Sequence, residues 1–276
     1  MWSAVCNGSI PTVNPAPEIP ALPPSIAAPP PLPAAARPAW NGWWTLLWAF
    51  ALMMAWQTAQ TIGLAGYLAA TWDKADFREF MKDPMSLMQN ADALWFASAL
   101  GALAVCPLCW LVGRFKSGWG GWDYMGNAKV RWWPPVLWTL GIVAFGMGFN
   151  LIAPAIGIDE SPQVMVDMAL NTNHIWLMIA AVAIGAPLVE EFMFRGVLFR
   201  GWRHSRMGLW GTIFVTSAIW AVLHVQYSFA IVFYIFLMGI VLAYARERTG
   251  NIWVPVAMHA LNNSLAAIEL VRATAV

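Results

Sequence analysis

The sequence predicts an all-α, polytopic transmembrane bundle, and three observations predict it. Of 276 residues, 60% are hydrophobic and 11% are charged, whereas a soluble domain carries about 25% charged residues. The apolar residues arrive in blocks that reach the about 20 residues needed to cross a bilayer. Within each block they are continuous rather than alternating. That pattern selects helices over a closed barrel, the two backbones that satisfy their own hydrogen bonds in lipid.

Residues 1–39 stand apart. They are dense in Pro and Ala, include Pro29, Pro30 and Pro31, and have no helical periodicity. They read as a disordered or polyproline-like tail. With neither a basic start nor a continuous apolar stretch, the tail is not expected to be a signal peptide. Asn7, Gly8 and Ser9 form a glycosylation acceptor pattern, a weak signal by itself. N-terminal membrane helices are expected over 40–173 and a second helical group over 174–276. Seven spans are placed near 43–71, 92–113, 133–157, 174–202, 208–225, 228–246 and 252–272, with an eighth short or re-entrant helix left open. The polar stretch 159–173 is expected at the surface.

Lys and Arg orient the bundle. Arg114, Lys116, Lys129 and Arg131 follow the second span, Arg203 and Arg206 the fourth, and Arg246 and Arg248 the sixth. The intervening loops are poorer, although Lys74, Arg78 and Lys82 are mixed with acids after the first span. A cytoplasmic N-terminus is expected, in what reads as a bacterial cytoplasmic membrane. The net charge of +1 suggests no nucleic-acid partner. Trp40, Trp43, Trp44, Trp72, Trp132, Trp133 and Trp202 fall at span ends, where interfacial belts enrich Trp. Cys106 and Cys109 lie inside an apolar span and read as core residues, not as a redox pair. Gly141, Gly146 and Gly148 in the third span suggest close helix packing, within one chain or between two.

The fourth span carries Glu190, Glu191 and Arg195 near its middle. An ionisable group there costs about 2.5–3.5 kcal/mol on insertion scales and is a functional candidate by default. Glu191 and Arg195 are i, i+4, the favourable order for a helical ion pair. Glu190 points about 100° away, leaving it free for chemistry. The plainer alternative is one buried salt-bridge cluster. Trp220 and His224 in the fifth span are again i, i+4, so the indole can pack on the imidazole. His259 and Asn263 share a face of the seventh. Taken singly, each pair is ordinary polar glue between helices. Together they supply a base, a polariser and oxyanion donors, the parts peptide hydrolysis needs. His174 and His204 sit at span ends and read as surface residues.

The order E-E-x-x-x-R, aromatic-x-x-x-H, H-x-x-x-N resembles the CPBP family, the CAAX-protease and bacteriocin-processing (Abi) intramembrane proteases. It is carried by Glu190, Glu191, Arg195, Trp220, His224, His259 and Asn263, and by the link from Gly239-Ile240 through Arg248-Thr249-Gly250-Asn251-Ile252. Trp220 is a departure, since Phe is commoner there. The resemblance covers about residues 174–272 and implies a membrane-embedded endopeptidase. Eukaryotic relatives remove the last three residues of prenylated CAAX proteins, and bacterial ones are tied to bacteriocin maturation or self-immunity. The expected partners are membrane lipid and a membrane-embedded or lipidated chain.

In the expected mechanism Glu190, helped by His224, deprotonates a water. His259 and Asn263 stabilise the oxyanion, and Glu191 with Arg195 holds the helix. No cofactor is expected. Zinc on Glu190, His224 and His259 is the rival, because one Glu and two His are a known ligand set. Against it, no H-E-x-x-H helix is present. Two non-protease readings are kept: a non-enzymatic immunity or scaffold protein of this fold, and a transporter, which the lack of paired repeats disfavours. Counted from the span ends, Glu190 and His224 lie roughly 20–25 Å deep and His259 only about 12 Å. A tilt, a shifted boundary or a break at Pro187 or Pro255 must bring them to one polar cavity.

Overall fold

The computed structural model describes residues 38–82, 90–156 and 163–274, and the chain is an all-α bundle. The tail expected over 1–39 falls almost entirely outside these residues. Ten helices can be named: α1 (Gly42–Thr71), α2 (Lys74–Lys82), α3 (Ala91–Phe115), α4 (Gly121–Met125), α5 (Trp133–Ile152), α6 (Gln163–Leu170), α7 (Ile175–Trp202), α8 (Gly208–Val222), α9 (Phe229–Thr249) and α10 (Trp253–Thr274). Seven coincide with the seven expected spans to within a few residues. Four of them, α3, α5, α7 and α9, are long and apolar enough to cross a membrane. The ends follow local chemistry. Asn41, Asn90 and Ser228 cap α1, α3 and α9 by accepting from Trp44 N, Ala93 N and Ile231 N, the usual N-cap bond. Pro134 and Pro135 open α5, where a missing N–H costs nothing. Gly250, in the left-handed region at φ 65°, ends α9.

The central helix is α7. Its middle is wrapped by α3, α1, α10 and α4, and the main core runs through Val189, Phe192, Met193, Phe194, Val197 and Leu198. The Thr45 side chain of α1 comes so close at Gly201 that a Cβ there would overlap its Oγ1. Around the glutamates α7 is not regular. Two π-helical segments, Ala181–Gly185 and Phe192–Leu198, flank the α-helical turn Ala186–Glu191. Ala186 N–H donates to Ala181 O and Phe199 N–H to Phe194 O, both five residues back. Single π turns inside helices recur at functional sites. The first one absorbs Pro187, whose missing N–H would otherwise interrupt an α ladder.

Several expectations need correction. The stretch 159–173 is not simply polar surface: its α6 part lends Met165, Met168 and Ala169 to a small apolar cluster with Ala91, Trp95, Met178 and Ala181. Of the three glycines in α5, only Gly146 meets a neighbour, while Gly141 and Gly148 face open space. Trp43, Trp132 and Trp133 are exposed at helix ends, but Trp202 is buried and donates from Nε1 to Gly42 O at 3.1 Å. It is a packing residue between α7 and α1, not part of an interfacial belt. Cys109 is buried and Cys106 half-buried in α3, as the core reading expects.

Candidate active site

The depth mismatch is resolved by where α10 begins. After Gly250 the chain turns inward. Ile252 N donates to Gly126 O, Asn251 pairs with Asn127, and Ile252 is fully buried. Arg246, itself buried, donates twice to Met125 O and fixes the other side of this junction. The ring of Trp253, the first residue of α10, lies 5.5 Å from that of Phe192. Phe192 sits ten residues before the end of α7, so α10 starts roughly 15 Å inside that end. His259 is thereby level with the glutamates. Pro255, in the first turn of α10, makes no break.

Glu191 and Arg195 form the expected pair: Nη1 donates to Oε1 at 2.9 Å, and both side chains are fully buried. Arg195 Nη2 also donates to Gly239 O at 3.2 Å, and the guanidinium lies 4.5 Å from the centre of the Trp220 ring. Gly239 has to be glycine for this. A Cβ there would come within 2.9 Å of Ser217 Cβ and 3.0 Å of Trp220 Cε3, so only a bare backbone lets α9 reach both Arg195 and Trp220.

His259 is buried as well. Its Nδ1 is 2.9 Å from Glu191 Oε1, and its Nε2 faces Glu190 Oε2 at 4.0 Å. Glu190, with its side chain 12% exposed, accepts from Trp220 Nε1 at 2.6 Å. The Trp220 ring is the hub of the site. It stands edge-on to His224 at 5.4 Å and to His259 at 5.3 Å. His224 is half-buried just beyond the end of α8, and its Nδ1 is 2.9 Å from Trp220 O. Tyr227, in the turn after it, stacks on the His224 ring at 6.2 Å. Burial and, to a smaller extent, the Glu190 carboxylate push the Tyr227 phenol up from its ordinary range, against a hydrogen bond from Gln226.

Asn263 is half-buried one turn beyond His259. It donates from Nδ2 to Val182 O at 3.0 Å, a carbonyl of the first π segment. The structure therefore gathers Glu190, Glu191, Arg195, Trp220, His224 and His259 around one indole, with Asn263 held against α7. His174 and His204 lie at the surface, as expected. Burial, Arg203 and Arg200 lower the His204 imidazole from its usual value. Sequence reasoning did not find the Trp220 to Glu190 bond or the His259 to Glu191 bond. These join residues 30 and 68 positions apart, and no local spacing announces them. The one available signal was the indole N–H itself, a buried donor that needs an acceptor.

The donor set bears on zinc. Two ligands of a tetrahedral zinc with bonds of about 2.0–2.1 Å stand roughly 3.3 Å apart. Glu190 Oε2 and His259 Nε2 are 4.0 Å apart, and that oxygen is already taken by Trp220. Among the described residues no three His, Cys, Asp or Glu side chains are grouped to hold an ion. As folded, these residues do not fit a three-ligand zinc site.

The family described as "Type II CAAX prenyl endopeptidase Rce1-like" matches residues 172–265. Its span contains all three motifs. The C-terminal segment is similar to the Rce1-like family. Among curated proteins, this chain is 28% identical over 130 residues to an "Uncharacterized 24.3 kDa protein" of Escherichia coli, covering 45% of this chain and 59% of that protein. It is 27% identical over 109 residues to "Putative membrane peptidase YdiL" of Bacillus subtilis (strain 168), covering 40% of this chain and 42% of that one. The matches thus span about half the length of these relatives. No solved structure matches. The resemblance read from seven residues and the Rce1-like match fall on the same segment.

Proposed function

We propose that this protein is a glutamate-type intramembrane endopeptidase that cleaves membrane-associated or lipidated protein chains. The observation that carries the reading is the unlike hydrogen bonding of its two site histidines. A carbonyl oxygen can only accept, so His224 must donate to Trp220 O from Nδ1. Its Nε2 then offers a lone pair to a water proton. His259 donates from Nδ1 to the Glu191 carboxylate, and a second proton on Nε2 would face Glu190. One imidazole thus presents an acceptor to the site and the other a donor, the two parts that orienting a water and stabilising an oxyanion require.

In this mechanism Glu190 and His224 Nε2 orient the water and Glu190 takes its proton. The hydroxide attacks the scissile carbonyl carbon. His259 Nε2–H and the second N–H of Asn263 Nδ2 donate to the developing oxyanion, each donor worth about 10²–10³ in kcat. Glu190 passes its proton to the leaving amine as the C–N bond breaks. Glu191 and Arg195 position His259 and Trp220. The Rce1-like match makes prenylated CAAX-type chain ends the first substrates to try, with bacteriocin precursors the second class. The basic loops favour a cytoplasmic N-terminus.

The test is reconstitution in liposomes with a quenched-fluorescent, lipid-modified peptide library, comparing wild type with Glu190→Ala, each with and without a strong chelator. Cleavage by wild type alone, unaffected by chelator, is expected. Chelator sensitivity would replace this mechanism with a metal one. Equal cleavage by both proteins would remove Glu190 from its role, and a wild type that cleaves none of the library favours the immunity or scaffold reading.

A further inference from the structure

Beyond the matched motifs, a line of polar side chains runs to Asn263 from Tyr234 of α9, whose ring packs on α5, outside the Rce1-like segment. Tyr234 Oη donates to Asn262 Oδ1 at 2.9 Å, Asn262 Nδ2 lies 3.4 Å from Asn263 Oδ1, and Asn263 Nδ2 donates to Val182 O. Tyr234 is clamped by two α5 rings, Phe145 stacked at 5.3 Å and Phe149 at 4.5 Å. Gly146, between them, leaves room for the hydroxyl: a Cβ there would sit 3.2 Å from Tyr234 Oη and 3.5 Å from Asn262 Oδ1.

The direction of this chain is fixed from its far end. Val182 O can only accept, so the amide nitrogen of Asn263 must face it. That turns Asn263 Oδ1 toward Asn262. An oxygen there is best met by the Asn262 nitrogen, which leaves Asn262 Oδ1 facing Tyr234, and only a hydroxyl proton completes the series. If Asn262 were flipped, two amide oxygens would face each other. The middle link is long, so it acts by orienting dipoles more than by bond strength. Tyr234 is the one member with a freely rotating donor, and its place is set by α5.

We infer that Tyr234 and Asn262 are positioning residues that lock the side-chain amide of Asn263 with its nitrogen on the Val182 carbonyl of α7, and that Gly146 of α5 gives them the space to do so. This rests on the protease reading for its consequence, because the second N–H of the locked amide is the one assigned to the oxyanion. It also gives α5, which precedes the matched segment, a part in the chemistry that the matched segment alone does not provide.

Four proteins test it in the reconstituted cleavage assay: wild type, Tyr234→Phe, Gly146→Ala and the double variant. Tyr234→Phe should lower kcat by about tenfold, the size of one lost neutral hydrogen bond, with KM and thermal midpoint nearly unchanged. Gly146→Ala should lower kcat in wild type. On Tyr234→Phe it should do nothing more, because the hydroxyl that its methyl would displace is gone. Wild-type kcat in Tyr234→Phe, a loss that tracks the thermal midpoint, or losses that simply add would overturn the inference. A second readout does not need activity. In 15N-asparagine-labelled protein, the Asn262 and Asn263 side-chain amide signals should both move in Tyr234→Phe. Unmoved signals would refute the relay, whereas moved signals in a protein that cleaves nothing would keep the relay and sink the protease reading instead.

Discussion

Arg195→Leu isolates the charge cluster at the heart of α7. The substitution removes the 2.9 Å bond to Glu191 Oε1, the 3.2 Å bond to Gly239 O and the guanidinium over Trp220 at once. Glu191 is left fully buried with the His259 ring as its remaining partner. Stranding one member of a buried pair costs about 3–5 kcal/mol. The cation–π contact would add up to about 2 kcal/mol, but these contributions share atoms and do not sum. A loss of about 3–5 kcal/mol is expected. The double variant Glu191→Leu/Arg195→Leu removes the stranded charge together with its partner and should recover most of the loss of the single variant. Unfolding in mixed detergent and dodecyl sulfate micelles, followed by tryptophan fluorescence and helicity, measures both. A single variant within about 0.5 kcal/mol of wild type, the range of an ordinary surface change, would refute the cluster as a stabilising unit. So would a double variant less stable than the single.

Three further outcomes follow from the geometry. Trp220→Phe keeps a ring beside both histidines and loses only the donor to Glu190, so it should fold normally. Trp220→Ala should cost about 3–5 kcal/mol through the cavity it leaves, and thermal unfolding of the two would separate packing from hydrogen bonding. At the close α1–α7 crossing, Gly201→Ala should destabilise by about 1–3 kcal/mol through overpacking against Thr45, measured in the same unfolding assay. In the first turn of α3, Asp92 accepts from Thr172 Oγ1, Asn173 N and His174 Nδ1. Asp92→Ala should therefore cost about 1–3 kcal/mol by freeing those donors, whereas His174→Ala, with a mostly exposed side chain, should cost under about 1 kcal/mol.

Much of this was legible in the sequence, and what was not has a physical reason. Continuous apolar blocks placed seven of the helices closely, because length and burial in lipid leave few other choices. The Glu191 to Arg195 pair was legible because i, i+4 spacing is local. The depth of His259 was not, because it depends on a tertiary junction. There Asn251 and Ile252 bond to the backbone around Gly126, on a loop more than a hundred residues earlier. The irregularity of α7 was hinted at by Pro187, but the π register extends through Phe192–Leu198, where the residues themselves give no sign. Gly141 and Gly148 misled as packing glycines: spacing shows that small residues share a face, not that another helix covers it.

The central claim is that Glu190 is the base of a peptidase, and Glu190→Gln tests it most directly. The amide oxygen can still accept from Trp220 Nε1, so the site keeps its packing and loses only the proton acceptor. A single farnesylated CAAX peptide in liposomes, with products read by mass, is the assay. Wild type should release the last three residues, and Glu190→Gln should be slower by about 10²–10⁴, the contribution of a positioned general base. Cleavage of the same bond at the wild-type rate by Glu190→Gln would contradict the account.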